Sequence, residues 1–238
     1  MMKLAKGLAA MAALAVATPA YAEPISLSSG DIGDSFTIDF DGFSGDSSNT
    51  IDGLTATLIL TLDSVTGDTY NFSYEVQNTT SSGLTSNISS FAFNVDPDII
   101  GATVDGAYQF AFVTDGRGSD PRLPNQIGAV DVCFKAQNSG SCSNGGGVSE
   151  GTTGTGTLSL LFDPDAASIT LDDFFVRYQG ITGAGHVTSA TGGQTSSSGT
   201  PVPAPGMLGL LAIALFSLGF MRRRREVEPL QPAQPAFA

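Results

Sequence analysis

Apolar and polar residues alternate with a period of two over much of the chain. Tyr70, Phe72, Tyr74 and Val76 alternate with Asn71, Ser73, Glu75 and Gln77. Phe91, Phe93 and Val95 form a second such set, followed by Tyr108, Phe110 and Phe112, then Val130, Val132 and Phe134, then Leu158, Leu160 and Phe162. Leu54 to Leu62 and Phe174 to Tyr178 add two further strand-like runs. Successive side chains on a strand point to opposite faces, so each run predicts one face in a core and one in water. Turn clusters of Gly, Asp, Asn, Ser and Pro separate the runs, as antiparallel connections require. The pattern predicts an all-β fold, an antiparallel β-sandwich or jelly roll of roughly eight to ten strands.

Both ends depart from this alternation. Lys3 and Lys6 precede an apolar run from Gly7 to Ala17, and Ala20-Tyr21-Ala22 follows. A positive start, a short apolar stretch and a small-x-small site together read as a signal peptide over residues 1–22, with the mature chain starting at Glu23. At the other end, Met207 to Met221 is uncharged and mostly apolar, about 22 Å long as a helix. Arg222, Arg223, Arg224 and Arg225 follow it as a stop-transfer signal that holds the C-terminus inside. This predicts a single C-terminal transmembrane helix at 207–221 and a short cytoplasmic tail at 226–238. The domain itself is assigned to residues 23–189. Residues 190–201 have no apolar periodicity and read as a flexible Gly/Ser/Thr linker. Gly145-Gly146-Gly147 and the glycines up to Gly156 read as a second flexible stretch; no Gly-Lys-Ser/Thr follows, so this is no phosphate loop.

Val202, Pro203, Ala204 and Pro205, the apolar run and the arginine cluster, in that order on an exported chain, resemble a PEP-CTERM sorting signal in its Val-Pro-Ala-Pro variant. The resemblance covers residues 202–225. It implies that the tetrad is the recognition motif for an exosortase-type processing enzyme. The chain would then sit transiently in the inner membrane before reaching the cell surface or the extracellular space. It also implies a non-catalytic envelope or matrix protein associated with exopolysaccharide and biofilm. The block from Val132 to Cys142, followed by Gly145-Gly146-Gly147-Val148, is similar to the signature of the cistern family within that group.

Charge narrows the function further. Outside the terminal basic residues and Glu226 and Glu228, the chain carries 21 acids and 4 bases, a net charge of −17. Such a stretch repels phosphate backbones, which excludes nucleic acid as a partner. With no tryptophan and one histidine, His186, histidine-based catalysis has little to work with. Cys133 and Cys142 are the two cysteines of an exported chain and are expected to form a disulfide. Asp96-Pro97-Asp98 and Asp163-Pro164-Asp165 repeat after strand-like runs, and Asp105 and Asp172 follow at equal spacing. Asp-Pro opens a type I turn well, so paired turns explain the repeat. The alternative is a calcium cage built from Asp96, Asp98, Asp163 and Asp165, in a calcium-dependent carbohydrate-binding module or adhesin. A glycoside hydrolase would need a carboxylate pair, and adjacent Asp172 and Asp173 would point to opposite strand faces. No other cofactor is expected.

Overall fold

The computed structural model describes residues 23–114, 120–142, 145–163 and 166–198. Alternation becomes strand throughout. In chain order the strands are β1 (Ile25–Ser28), β2 (Ser35–Phe43), β3 (Thr50–Thr66), β4 (Thr69–Asn78), β5 (Thr85–Asp96), β6 (Ile99–Gly106) and β7 (Phe110–Val113). They continue as β8 (Arg122–Leu123), β9 (Gly128–Ala129), β10 (Val132–Lys135), β11 (Val148–Ser149), β12 (Thr153–Phe162), β13 (Ser168–Thr182) and β14 (Ser189–Ser198). Among the described residues the total exceeds the expected eight to ten because β1, β8, β9 and β11 are short and β14 carries no apolar signal.

Twelve strands form one antiparallel sheet along the path β6-β12-β4-β3-β2-β14-β13-β5-β10-β7, with β1 on β13 and β11 on β5. The path bends back on itself, in the manner of a sandwich or an incompletely closed barrel. Tyr74 on β4 and Phe91 on β5 are far apart in the strand order, yet their rings lie 5.5 Å apart. Tyr108, in the link between β6 and β7, joins both: its ring is 5.8 Å from Tyr74 and 5.1 Å from Phe91. Its hydroxyl donates to the Ile88 carbonyl at 3.0 Å, so the buried polar atom is satisfied. Even-numbered residues of β3 and β4, from Leu54 to Leu62 and from Tyr70 to Val76, line this core. Burying one such aromatic is worth roughly 2–3 kcal/mol.

Two predicted runs change face. Tyr108 lies in the main core, but Phe112 packs on a second, outer cluster, while Ala111 and Val113 face the main core. The chain reverses its facing between Tyr108 and the start of β7. Val130 likewise joins the outer cluster, whereas Val132 and Phe134 enter the main core.

The linker expectation is corrected. Residues 189–198 are a strand, hydrogen-bonded to β13 on one side and β2 on the other. Its Ala190, Thr191 and Gly192 are buried. The second glycine stretch is corrected too: Gly154 and Gly156 lie within β12, paired to β4. At Gly156 a Cβ would fall 2.0 Å from the Asp105 carbonyl oxygen and 2.5 Å from the Tyr74 hydroxyl, so close approach explains the glycine. The signal peptide at 1–22, the sorting tetrad Val202 to Pro205, the helix at 207–221 and Arg222 to Arg225 lie outside the described residues. Among the described residues no helix is long and apolar enough to cross a membrane.

Candidate functional site

The outer face of β3, β4 and β12 carries the odd-numbered residues that the core alternation leaves behind. Register aligns them in rows across the strands. Thr37, Ile59, Glu75 and Thr155 form one row, and Ser35, Thr61, Ser73, Thr157 and Asp105 form the next. Ile59, Thr61, Ser73, Glu75, Thr155, Gly156 and Thr157, with Tyr74, line a groove of about 370 Å³.

Hydroxyls serve the carboxylates of this face. Ser73 donates to Asp63 at 2.6 Å, Thr57 and Ser196 both donate to Asp39 at 2.9 Å, and the Ser35 and Thr61 hydroxyls share a bond of 2.8 Å. Gln77 donates to Oε1 of Glu75 at 2.6 Å. Such a surface offers donors and acceptors to a polyhydroxylated ligand, with Ile59 as its one aliphatic contact. Sequence alternation exposes Ser73 and Glu75 as outward residues. It does not reveal that Thr155 and Thr157 stand beside them, because β4 and β12 are distant in sequence.

On the outer face of β5, β10 and β13 lies the second cluster, in which Ala92, Leu123, Val130, Cys133 and Cys142 are buried and Phe112, Ile127 and Phe175 pack against them. Cys133 and Cys142 form a disulfide, with Cα atoms 5.9 Å apart. Residues 120–131 cover this face. Asn125 accepts from the Gly45 amide at 3.1 Å and donates to Thr191 at 3.0 Å, while Gln126 donates to the Gly45 carbonyl at 3.2 Å. Asn125 and Gln126 both have positive φ, 61° and 67°, the backbone of a tight hairpin turn between β8 and β9.

Arg177, Ser90 and Lys135 form a buried row beneath the cover. Lys135 donates to the Gly140 carbonyl at 2.9 Å and stands 4.2 Å from the centre of the Phe112 ring. Ser90 donates to the Cys142 carbonyl at 2.6 Å. Burial pulls the Lys135 amine and the Arg177 guanidinium below their usual ranges. Arg177 donates to Ser189 at 2.9 Å, and its Nε is buried without a partner among the described residues. These contacts fasten the loop between the cysteines to the sheet.

Closing that loop of about ten residues contributes roughly 2.7 kcal/mol in the chain-entropy model. Replacing both cysteines with serine should therefore lower Tm by about 5–10 °C, measured by calorimetry. Labelling the unfolded native protein should find no free thiol before reduction and two after it.

The aspartate repeats meet at one end of the sheet. Phe162 pairs with Ile99, so Asp163 and Asp98 adjoin the same ladder, and Asp96 pairs with Thr170. Asp165 lies outside the described residues. Among those described, no group of three His, Cys, Asp or Glu side chains is arranged to hold a metal ion. His186 is exposed in the turn between β13 and β14.

The strict alternation expected at Asp172 and Asp173 is broken. A bulge interrupts the pairing of β13 with β5 here, and Asp173 has φ 48°. Burial raises the Asp172 carboxyl above the usual range, helped by the charges of Asp173, Asp131 and Asp96. Between the ordinary aspartate value and the raised one, the folded chain holds the proton more tightly than the unfolded chain, so stability falls as pH rises across that interval. Ionised Asp172 is consequently a net cost at neutral pH. Asp172→Asn should raise Tm at pH 7 by roughly 1–3 °C and give no gain below about pH 3, where the carboxyl is protonated in both states.

No protein-family model, no curated protein and no solved structure matches this chain.

Proposed function

We propose that this chain is a non-catalytic, exported envelope or matrix protein, an antiparallel sandwich or jelly-roll ectodomain with one C-terminal transmembrane helix. Its sorting signal at 202–225 hands it to an exosortase-type enzyme, and its folded domain then associates with extracellular polysaccharide. The observation that carries the association is the groove on β3, β4 and β12, lined by serine and threonine hydroxyls and one carboxylate. The disulfide between Cys133 and Cys142 supports export, because such bonds persist in oxidising compartments. With β14 ending at Ser198, residues 199–206 are all that separate the domain from the apolar run. Pro203 and Pro205 within that stretch favour an extended backbone suited to a protease site.

The test uses epitope tags, one inserted after Ser198 and one after Ala238, in the native host. Processing predicts a shortened envelope or extracellular species that lacks the C-terminal tag. Replacing Pro203 and Pro205 with alanine should trap full-length protein in the inner membrane. A single full-length membrane band carrying both tags would refute the sorting reading. Association is tested by cosedimentation with the host's matrix polysaccharide, with calcium and with chelator. Binding that requires calcium would favour the adhesin reading instead, with Asp96, Asp98, Asp163 and Asp165 as its ligands.

A further inference from the structure

We propose that the groove on β3, β4 and β12 takes a cationic amino-sugar unit, a polyhydroxylated ring that carries a protonated amine. This rests on the polysaccharide reading above and names the class of sugar.

Charge and burial carry the inference together. Three basic side chains fall among the described residues, and two of them, Lys135 and Arg177, are buried beneath the cover at 1% and 6% exposure. Arg122 is left as the exposed base of the described surface. The acids stay outside: Asp39, Asp63 and Asp105 are exposed around the groove, and Glu75 stands half-buried within it. A sugar carrying carboxylate or sulfate would meet like charge here, with no cation among the described residues of the groove to pair it. A protonated amine meets the reverse.

Local hydrogen bonding fits the same ligand. Gln77 occupies Oε1 of Glu75, and no hydrogen bond among the described residues ends on Oε2. That oxygen is an acceptor for an ammonium group, and a charge-assisted bond of this kind is roughly twice as strong as a neutral one. Thr155 and Thr157 are exposed on the rim of the groove, with hydroxyls that bond to no other described side chain. They can exchange hydrogen bonds with ring hydroxyls. Ile59 offers an aliphatic patch to the C–H face of a sugar ring. The volume, about 370 Å³, lies within the range of small-ligand sites, roughly 300–1,000 Å³.

Titration calorimetry of the exported protein with three probes tests this: a fully deacetylated β-1,4-glucosamine oligomer, its N-acetylated counterpart and an oligogalacturonate. The deacetylated oligomer should bind at least ten-fold more tightly than the N-acetylated one, and the oligogalacturonate should not bind. Raising salt should weaken the deacetylated complex, since exposed charges are screened. Glu75→Gln should cost at least ten-fold in affinity. Glu150→Gln, which removes one exposed charge outside the groove, should cost less than two-fold. Equal losses in the two variants would show attraction to overall charge and overturn the groove assignment. Equal affinity for acetylated and deacetylated oligomers would overturn the role of the amine. If the oligomers fail to bind while the host's matrix polysaccharide still does, this inference falls and the proposed function stands. If the protein binds neither, both fall.

Discussion

Replacing Gly192 with valine should remove a large share of the domain's stability. Gly192 sits in β14, where a Cβ would meet Val176 Cγ2 at 2.5 Å, Tyr178 Cε2 at 2.9 Å and Phe40 Cβ at 3.3 Å. These atoms belong to β13 and β2, the two strands that hold β14 by hydrogen bonds. Neither neighbour can withdraw without breaking its own ladder, so the clash falls at the stiff end of overpacking, at least about 3 kcal/mol. Truncation after Thr188 is more severe still, because it removes the ladder partner of both β13 and β2 and leaves their backbone groups unpaired. Thr195→Val, at an exposed position of the same strand, should stay within about 0.5–1 kcal/mol of the parent. Urea unfolding of the three variants checks the ranking. A Gly192→Val protein with an unchanged midpoint would show that β14 is not held as described.

That strand also shows where sequence reading fails. A strand is recognised by the apolar face it buries, and β14 buries only Ala190, Thr191 and Gly192. The space beneath it is filled from its neighbours by Val176, Tyr178 and Phe40, so its own side chains must be small. Its hydrogen bonds leave no mark in composition, and Ser-Ala-Thr-Gly-Gly-Gln-Thr-Ser-Ser-Ser passes for a linker. In β12 the same effect hides Gly154 and Gly156, while Leu158, Leu160 and Phe162 at its other end are plain. The runs in β3, β4, β5 and β13 were legible because they bury large side chains at every second position. Parity was lost at Tyr108 and Val130, where the chain changes face just before a strand begins.

The groove was half legible for the same reason. Ser73 and Glu75 alternate with core aromatics, so their outward direction follows from β4 alone. Their neighbours Thr155 and Thr157 lie at the glycine-rich end of β12, where the sequence up to Gly156 reads as flexible. The buried cations lay beyond prediction, since a lysine or arginine ordinarily stays exposed. Lys135 and Arg177 are covered because residues 120–131 and the disulfide loop fold over their face, a long-range event with no local signature. Their burial is also what leaves the exposed surface so one-sidedly acidic.

Above about pH 10 the fold should lose stability steeply, with the buried tyrosines responsible. Tyr108 and Tyr178 are fully buried. Burial pushes both phenols well above the usual value, Tyr178 with help from Asp41 and Tyr108, and Tyr108 with help from Tyr74. The sign follows from proton counting: above the ordinary tyrosine value the unfolded chain loses protons that the folded chain keeps. Stability is complete below that value and declines above it, by up to about 1.4 kcal/mol per pH unit for each group. Two groups together give about 2.7 kcal/mol per unit. Lys135 works in the opposite sense, because burial lowers its folded value. Its contribution improves stability as pH rises toward the ordinary lysine value near 10.4, and then stops. The expected curve rises gently to about pH 10 and then drops. Urea midpoints between pH 7 and pH 11 trace it, and tyrosinate absorbance from Tyr108 and Tyr178 should appear only as the protein unfolds. Tyr178→Phe separates the terms. The Tyr178 hydroxyl has no hydrogen-bond partner among the described residues, so its loss should not weaken the neutral fold. The variant should flatten the alkaline slope without abolishing it, because Tyr108 and the buried Tyr70 and Tyr74, whose phenols burial also raises, still contribute. Tyr108→Phe should also flatten the slope, but at about 1 kcal/mol lower stability at pH 7, because its hydroxyl donates to Ile88. Ionisation of both phenols at an ordinary pH in a protein that stays folded would show that the two rings are open to water.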